Sequence, residues 1–183
     1  MALERVNVLL AKVCGAWKLG WYKLLWRKRF CVKGWLRMER LARINLRDGT
    51  LKIGRGFNMK RNSYLAIVLG GTLTIGNGVS LNRNSTIVCQ DRISIGDGCA
   101  IAPNVAIYDH DHVFDENGIA DGFKTAPVVI ERNCWIGSGV VILRGTHIGE
   151  GCVIGAGCVV KGDIPAHSLV TSERKLVIKE ITA

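Results

Sequence analysis

The stretch Val128-Val129-Ile130-Glu131-Arg132-Asn133-Cys134-Trp135-Ile136-Gly137-Ser138-Gly139 opens a run in which an apolar residue returns every six positions. The series is Ile130, Ile136, Ile142, Ile148, Ile154 and Val160. Glycine follows Ile136, Ile148 and Ile154, and the fifth place of each hexad is small or branched: Cys134, Val140, Thr146, Cys152, Cys158 and Ile164. A fixed short period is the mark of a repeat architecture, so the run is read as a solenoid before any single strand is assigned.

Working outward, a longer period lies on the hexad. An apolar-x-Ile-Gly unit occurs around Ile53, Ile75 and Ile95, with further copies around Ile130 and Ile148. These isoleucines are spaced by 22, 20, 35 and 18 residues. Eighteen is three hexads, and the spacing of 35 carries 17 residues more, about the length of segment 109–127. The physical reading is an all-β fold, a parallel β-helix. Each hexad is a short strand and a turn, and three hexads close one coil of a triangular prism. One coil cannot bury its own apolar face, but a stack of about five can. Backbone groups then pair with the coil above or below. The isoleucine points inward, and the fifth residue points inward beside a corner, where only a small side chain fits. The cysteines at that place, 99, 134, 152 and 158, read as core filler. Segment 109–127, rich in Asp and Glu, reads as an exposed protruding loop, and long insertions in solenoids are commonly functional.

The quoted stretches, with Ile75-Gly76-Asn77-Gly78, Asn82, Asn84, Ile101-Ala102-Pro103-Asn104-Val105, Tyr108-Asp109-His110-Asp111-His112 and Asp163-Ile164-Pro165, resemble the hexapeptide-repeat acyltransferases. Within them the resemblance is nearest to sugar O-acetyltransferases of the galactoside and maltose type. It covers about residues 50–168 and supplies the handedness, a left-handed parallel β-helix. It implies a homotrimer with active sites between subunits, acetyl-CoA as co-substrate along the groove between two prisms, and a sugar or glycan acceptor.

Acyl transfer to a hydroxyl needs a base for the hydroxyl proton and donors for the tetrahedral oxyanion. The chain has four histidines: His110, His112, His147 and His167. Counting from Ile95 and Ile107, His112 takes the place of the family's catalytic histidine, and His110 stands two residues earlier. The resemblance implies His112 as base, and Ser138 as an oxyanion donor through its backbone N–H. Asn82, His110 and Asp109 are placed at the acceptor. Trp135, Ser138, Gly155, Ala156, Lys161 and Lys175 are placed along the CoA. The chain departs from the family where a cation usually precedes Asp-Ile-Pro: Gly162 stands there, with Lys161 one residue earlier. No Cys or Ser looks activated, so direct transfer without a covalent acyl-enzyme is expected. No metal site is expected.

The formal net charge is +10, and all of it lies in residues 1–47, which hold 12 Lys/Arg against 2 Asp/Glu. Residues 48–183 hold 13 of each. Residues 1–42 therefore read as a basic, largely helical arm, residues 43–170 as the prism and 171–183 as a tail. Val6, Leu9, Leu10, Val13, Trp17, Trp21 and Leu24 recur at helical spacing among lysines and arginines. Such an arm suits an anionic membrane surface. It equally suits docking on the prism or on a trimer partner. No nucleic-acid module accompanies the charge, and nucleic acid is not expected as a partner. No leader or membrane span is seen, and the seven cysteines fit a reducing cytoplasm, with peripheral attachment to the inner face of the membrane as the refinement. The membrane-seeking arm points to cell-surface polysaccharide assembly. N-acetylation of an amino sugar or other small acceptor, a γ-carbonic-anhydrase-like zinc enzyme and a non-catalytic scaffold stand as alternatives.

Overall fold

Inside the prism the hexad does what its spacing demands. Ile130, Ile136, Ile142, Ile148 and Ile154 are each at most 1% exposed. The small fifth residues Cys134, Val140, Thr146, Cys152 and Cys158 are buried beside them. The computed structural model describes residue 13 and residues 16–173. Short strands from successive coils stack into three parallel sheets of seven, seven and six strands. The architecture is the parallel β-helix that the hexad implied, consistent with the left-handed form that the resemblance supplied.

The first face runs from Phe30–Val32 to Asp163–Ile164, the second from Leu36–Met38 to Leu169–Val170, and the third from Arg43–Leu46 to Val159–Val160. The prism is thus taller than the five coils expected, and its first strand is Phe30–Val32 rather than one near residue 43. The reason is chemical. In the first coil Phe30, Leu36 and Met38 fill the inward places that isoleucine fills higher up. Lys33 and Arg37 lie among them, so the coil has the composition of the arm.

The second corner, between second and third faces, shows how the coils turn. Asn62, Asn84, Asn104, Gly139 and Gly157 stand at successive levels, all with φ between 58° and 71°. Asparagine and glycine tolerate this left-handed conformation best. Gly137 meets a different demand. A Cβ there would lie 2.6 Å from the carbonyl oxygen of Ile154 and 2.8 Å from the amide nitrogen of Ala156. Coil-to-coil contact leaves no room for it.

Residues 16–26 are helical and close the base of the prism. Leu19, Tyr22 and Trp26 share one helical face and pack against the core. Tyr22 stacks on Trp26 at 4.5 Å and meets Phe30 edge-on at 5.6 Å. Lys18 Nζ donates to the carbonyl of Ala42 at 2.9 Å. Trp17, Trp21, Leu24 and Leu25 face outward, with Trp17 79% exposed. Val6, Leu9 and Leu10, which began the helical pattern, lie outside the described residues.

Segment 109–127 is more ordered than a loop. His110–Asp115 and Gly118–Thr125 pair antiparallel as a two-stranded hairpin, with an irregularity between His112 and Phe114. Its abundant acidic residues mask apolar Val113, Phe114, Ile119 and Phe123, whose β preference drives the pairing. Asp115 Oδ1 accepts the backbone N–H of Asn117 at 2.8 Å and shapes the turn.

Candidate active site

The hairpin leaves the prism at the third corner, after Ala106–Tyr108 on the third face and before Val128–Ile130 on the first. Its root is fixed by Asp109. That carboxylate is wholly buried and accepts the backbone N–H of Gln90 at 2.9 and 3.1 Å and of Asp91 at 2.8 Å. It also lies 3.0 Å from Nδ1 of His110. A carboxylate oxygen at this distance suits Nδ1 of His110 as the donor. The His110 ring is edge-on to Tyr108 at 6.1 Å and to Phe123 at 5.5 Å. Its side chain is only 13% exposed. Asp109, expected at the acceptor, is instead spent inside the protein. Its oxygens are filled by two main-chain amides and an imidazole, because the chain needs an anion to gather those donors.

His112 lies two residues on, beside Phe123, with ring centroids 4.7 Å apart. Unlike His110 it is exposed. Asp111 pairs with Arg144 Nε of the next coil and braces the hairpin from the side. Gln90, Phe123 and Arg144 are parts of this corner that the sequence reading passed over. Arg144 was accessible to it: it sits between Leu143 and Gly145 in the hexad turn one coil beyond the hairpin root.

The residues expected along a CoA gather elsewhere. Trp135 stands outward on the second face, 55% exposed, paired in register with Ala100 and Val153. Ser138 and Ala156 are exposed at the second corner, and the N–H of Gly157 donates to the Ser138 carbonyl at 2.8 Å. Gly155 is held by its N–H to the Val170 carbonyl at 2.7 Å. Asn82 occupies the same corner two coils below Ser138, its Oδ1 accepting the backbone N–H of Arg83 at 2.8 Å. Lys161 is exposed at the third corner, on the hairpin's side of the prism. Lys175 lies outside the described residues.

The residues expected at one site therefore fall into two groups on one chain, candidate half-sites. The hairpin histidines stand at the third corner, and Asn82, Ser138, Gly155 and Ala156 stand at the second. The whole third face separates them. His147 belongs to neither: it lies on the first face, its Nε2 3.0 Å from Oε1 of Glu131.

The core thiols are poor nucleophiles. Burial pushes the Cys99 thiol up to about 11 and raises that of Cys134. Each sulfur donates to a main-chain carbonyl one coil away: Cys99 to Glu131 at 3.0 Å and Cys134 to Gly149 at 3.1 Å.

Comparison with known proteins rests on this same part of the chain. Residues 127–162 match the family model "bacterial transferase hexapeptide (six repeats)". That segment carries the hexapeptide repeat of this transferase family. It is 40% identical over 100 residues to the galactoside O-acetyltransferase of Escherichia coli, covering 52% of this chain and 48% of that one. It is 45% identical over 64 residues to the 2,3,4,5-tetrahydropyridine-2,6-dicarboxylate N-acetyltransferase of Enterococcus faecalis, covering 35% and 28%. The matches span about half the length of the first curated relatives. Among solved structures, a hexapeptide-repeat acetyltransferase of Vibrio cholerae complexed with acetyl coenzyme A superposes with a TM-score of 0.57 at 32% identity, covering 63% of each chain. An N-acyltransferase of Bacillus cereus, solved with dTDP and 3-hydroxybutyryl-CoA, gives 0.68 at 20% identity over 86% of this chain and 88% of that one. At that identity the second likeness speaks for the fold.

Proposed function

We propose that this protein transfers an acetyl group from acetyl-CoA to a sugar hydroxyl, with His112 as general base and no covalent acyl-enzyme. The observation that carries the reading is the exposed His112 ring on a hairpin whose root is locked by buried Asp109. A hydroxyl must lose its proton as it attacks, so O-transfer needs an imidazole in reach. A neutral amine attacks without that help, and this favours a hydroxyl acceptor over an amino sugar. The likeness to a galactoside O-acetyltransferase supports the same choice. The backbone N–H of Ser138 is the proposed oxyanion donor. Trp135, Gly155 and Ala156 would line the pantetheine, and Lys161 with Lys175 would meet its phosphates.

The two half-sites call for a second copy of the chain. The third face is suited to receive one. Its outward residues in the upper coils are Thr86, Val88, Ala106, Tyr108, Val141 and Val159, with Val159 65% exposed. The hairpin adds exposed Phe114 and Ile119. Packing these against a neighbour would set one chain's His112 opposite the next chain's Ser138, and threefold repetition closes the ring. The active unit is thus a homotrimer.

The basal helix favours peripheral contact with an anionic membrane over docking on a partner. Its inner face is already used on the prism, and its outer face sets Trp17, Trp21, Leu24 and Leu25 beside the exposed Lys23. No Asp or Glu occurs between residues 5 and 38, so a second copy of this surface would repel the first. No helix among the described residues is long and apolar enough to cross a membrane. Such attachment suits work on membrane-bound cell-surface glycans.

The test is transfer of labelled acetyl groups from acetyl-CoA to a panel of free, nucleotide-linked and lipid-linked sugars, with wild type and His112→Ala. Ester formation that the substitution removes is expected. Amide formation alone, or no transfer to any sugar, would overturn the reading. Co-sedimentation with vesicles containing anionic phosphatidylglycerol, lost in Trp17→Ser/Trp21→Ser, checks the membrane contact.

A further inference from the structure

Five outward residues of the second face lie in one register across neighbouring strands: Arg37, Asn58, Ser80, Ala100 and Trp135. Ser80 and Ala100 are small, and Arg37 and Trp135 at the two ends are large. Four inter-strand steps of about 4.8 Å make this line ~19 Å long, several sugar rings rather than one. Its upper end is Trp135, and Asn82 turns off the same strand line at the adjoining corner. Its lower end opens into a cavity of about 510 Å³ lined by Trp35, Leu36, Arg37, Gly56, Phe57 and Asn58.

Three features of that cavity lack an internal purpose. The Trp35 ring is 74% exposed, although an indole is normally kept from water. Arg37 is half-buried, and no carboxylate among the described residues pairs with it. Asn58 Oδ1 is shielded from solvent and receives no hydrogen bond from the described residues. A flat indole matches the C–H face of a pyranose. An amide oxygen takes a hydroxyl proton, and a guanidinium takes a carboxylate. A cavity of this size is ample for a sugar ring.

We infer that the second face holds an acidic oligosaccharide: a uronate-bearing sugar sits at Trp35, Arg37 and Asn58, and the chain runs over Ser80, beside Asn82 at the adjoining corner, and over Ala100 to its upper end at Trp135. The inference rests on the proposed sugar transfer and narrows its acceptor class. It gives Trp35 and Arg37 a part in specificity, far from the transferred group.

The experiment is binding of the full-length protein to immobilised oligosaccharides of graded length, in neutral and uronate-containing series. Wild type, Trp35→Ala, Arg37→Gln and His112→Ala are compared after thermal melts establish that each is folded. Wild type and His112→Ala are expected to hold the longer uronate-containing chains and to leave single sugars unbound. Trp35→Ala and Arg37→Gln are expected to weaken binding about tenfold or more. Retention of single sugars only, equal binding of neutral chains, displacement by free dTDP, or no change in both cavity variants would overturn the inference. A wild type that transfers no acetyl group yet shows this pattern would remove the activity and leave the binding site. Acetyl transfer with no glycan retained would do the reverse.

Discussion

Oδ1 of Asp109 lies 3.0 Å from Nδ1 of His110, and the carboxylate that holds this ring is inaccessible to solvent. The same carboxylate gathers the amides of Gln90 and Asp91 from the coil below. One side chain therefore ties the hairpin root to two levels of the prism. Asp109→Ala would leave buried N–H donors without an acceptor, which costs about 1–3 kcal/mol for each group stranded. Urea unfolding is expected to report a loss of that order. Circular dichroism should still show the β-helix, because the strands beyond the hairpin do not depend on Asp109.

The two hairpin histidines should separate kinetically. His112→Ala is expected to lower kcat by about 10²–10⁴-fold, the usual worth of a general base. His110 is a positioning residue, since its Nδ1 is committed to Asp109. His110→Ala is expected to lower the rate less. His110→Asn, which restores a donor toward Asp109, should recover part of the loss. The measurement is kcat and KM, taken separately, for all three variants.

The prism was legible because its signal is repeated. Each buried isoleucine is one member of a ladder, so noise at a single position cannot hide the period. The first coil escaped because Phe30, Leu36 and Met38 replace the isoleucines while Lys33 and Arg37 carry the charge of the arm. His112 could be placed by counting hexads from Ile95. The role of Asp109 could not, because whether a carboxylate faces a ligand or its own backbone depends on coils 18 residues or more apart in sequence. The hairpin was misjudged for a related reason: Phe114, Ile119 and Phe123 remain exposed, so no burial pattern marks its strands.

Glycines of this chain should sort by their surroundings. Gly137→Ala sets a Cβ 2.6 Å from a main-chain oxygen, and backbone on both sides cannot retreat. A loss of stability of about 1–3 kcal/mol is expected, as for overpacking in a dense core. Gly20 lies in the basal helix with nothing within 4 Å of an added methyl and no positive φ. Gly20→Ala is expected to gain about 0.5–1 kcal/mol through helix preference. Paired denaturation curves for the two variants check both signs.

The thiols predict an alkaline limit to stability. Removal from water holds Cys99 protonated up to about pH 11 in the fold, against a value of 9.0 when exposed, and raises Cys89 and Cys134 in the same direction. For a thiol raised on folding, the stabilising difference is complete below the unfolded value. It declines as the unfolded chain ionises and is spent once the folded group does too. Stability should therefore fall between about pH 9 and pH 11, and Cys99→Ala should show a shallower decline. The same burial governs reactivity. In a Cys14→Ser background at pH 8, Cys31 is the one exposed thiol among the described residues, so one equivalent of a disulfide reagent should react promptly. The five buried thiols should follow only on unfolding. Prompt reaction of more than one equivalent in the folded protein would mean that the cysteine ladder is open to solvent, and the decline in stability above pH 9 would then lose its cause.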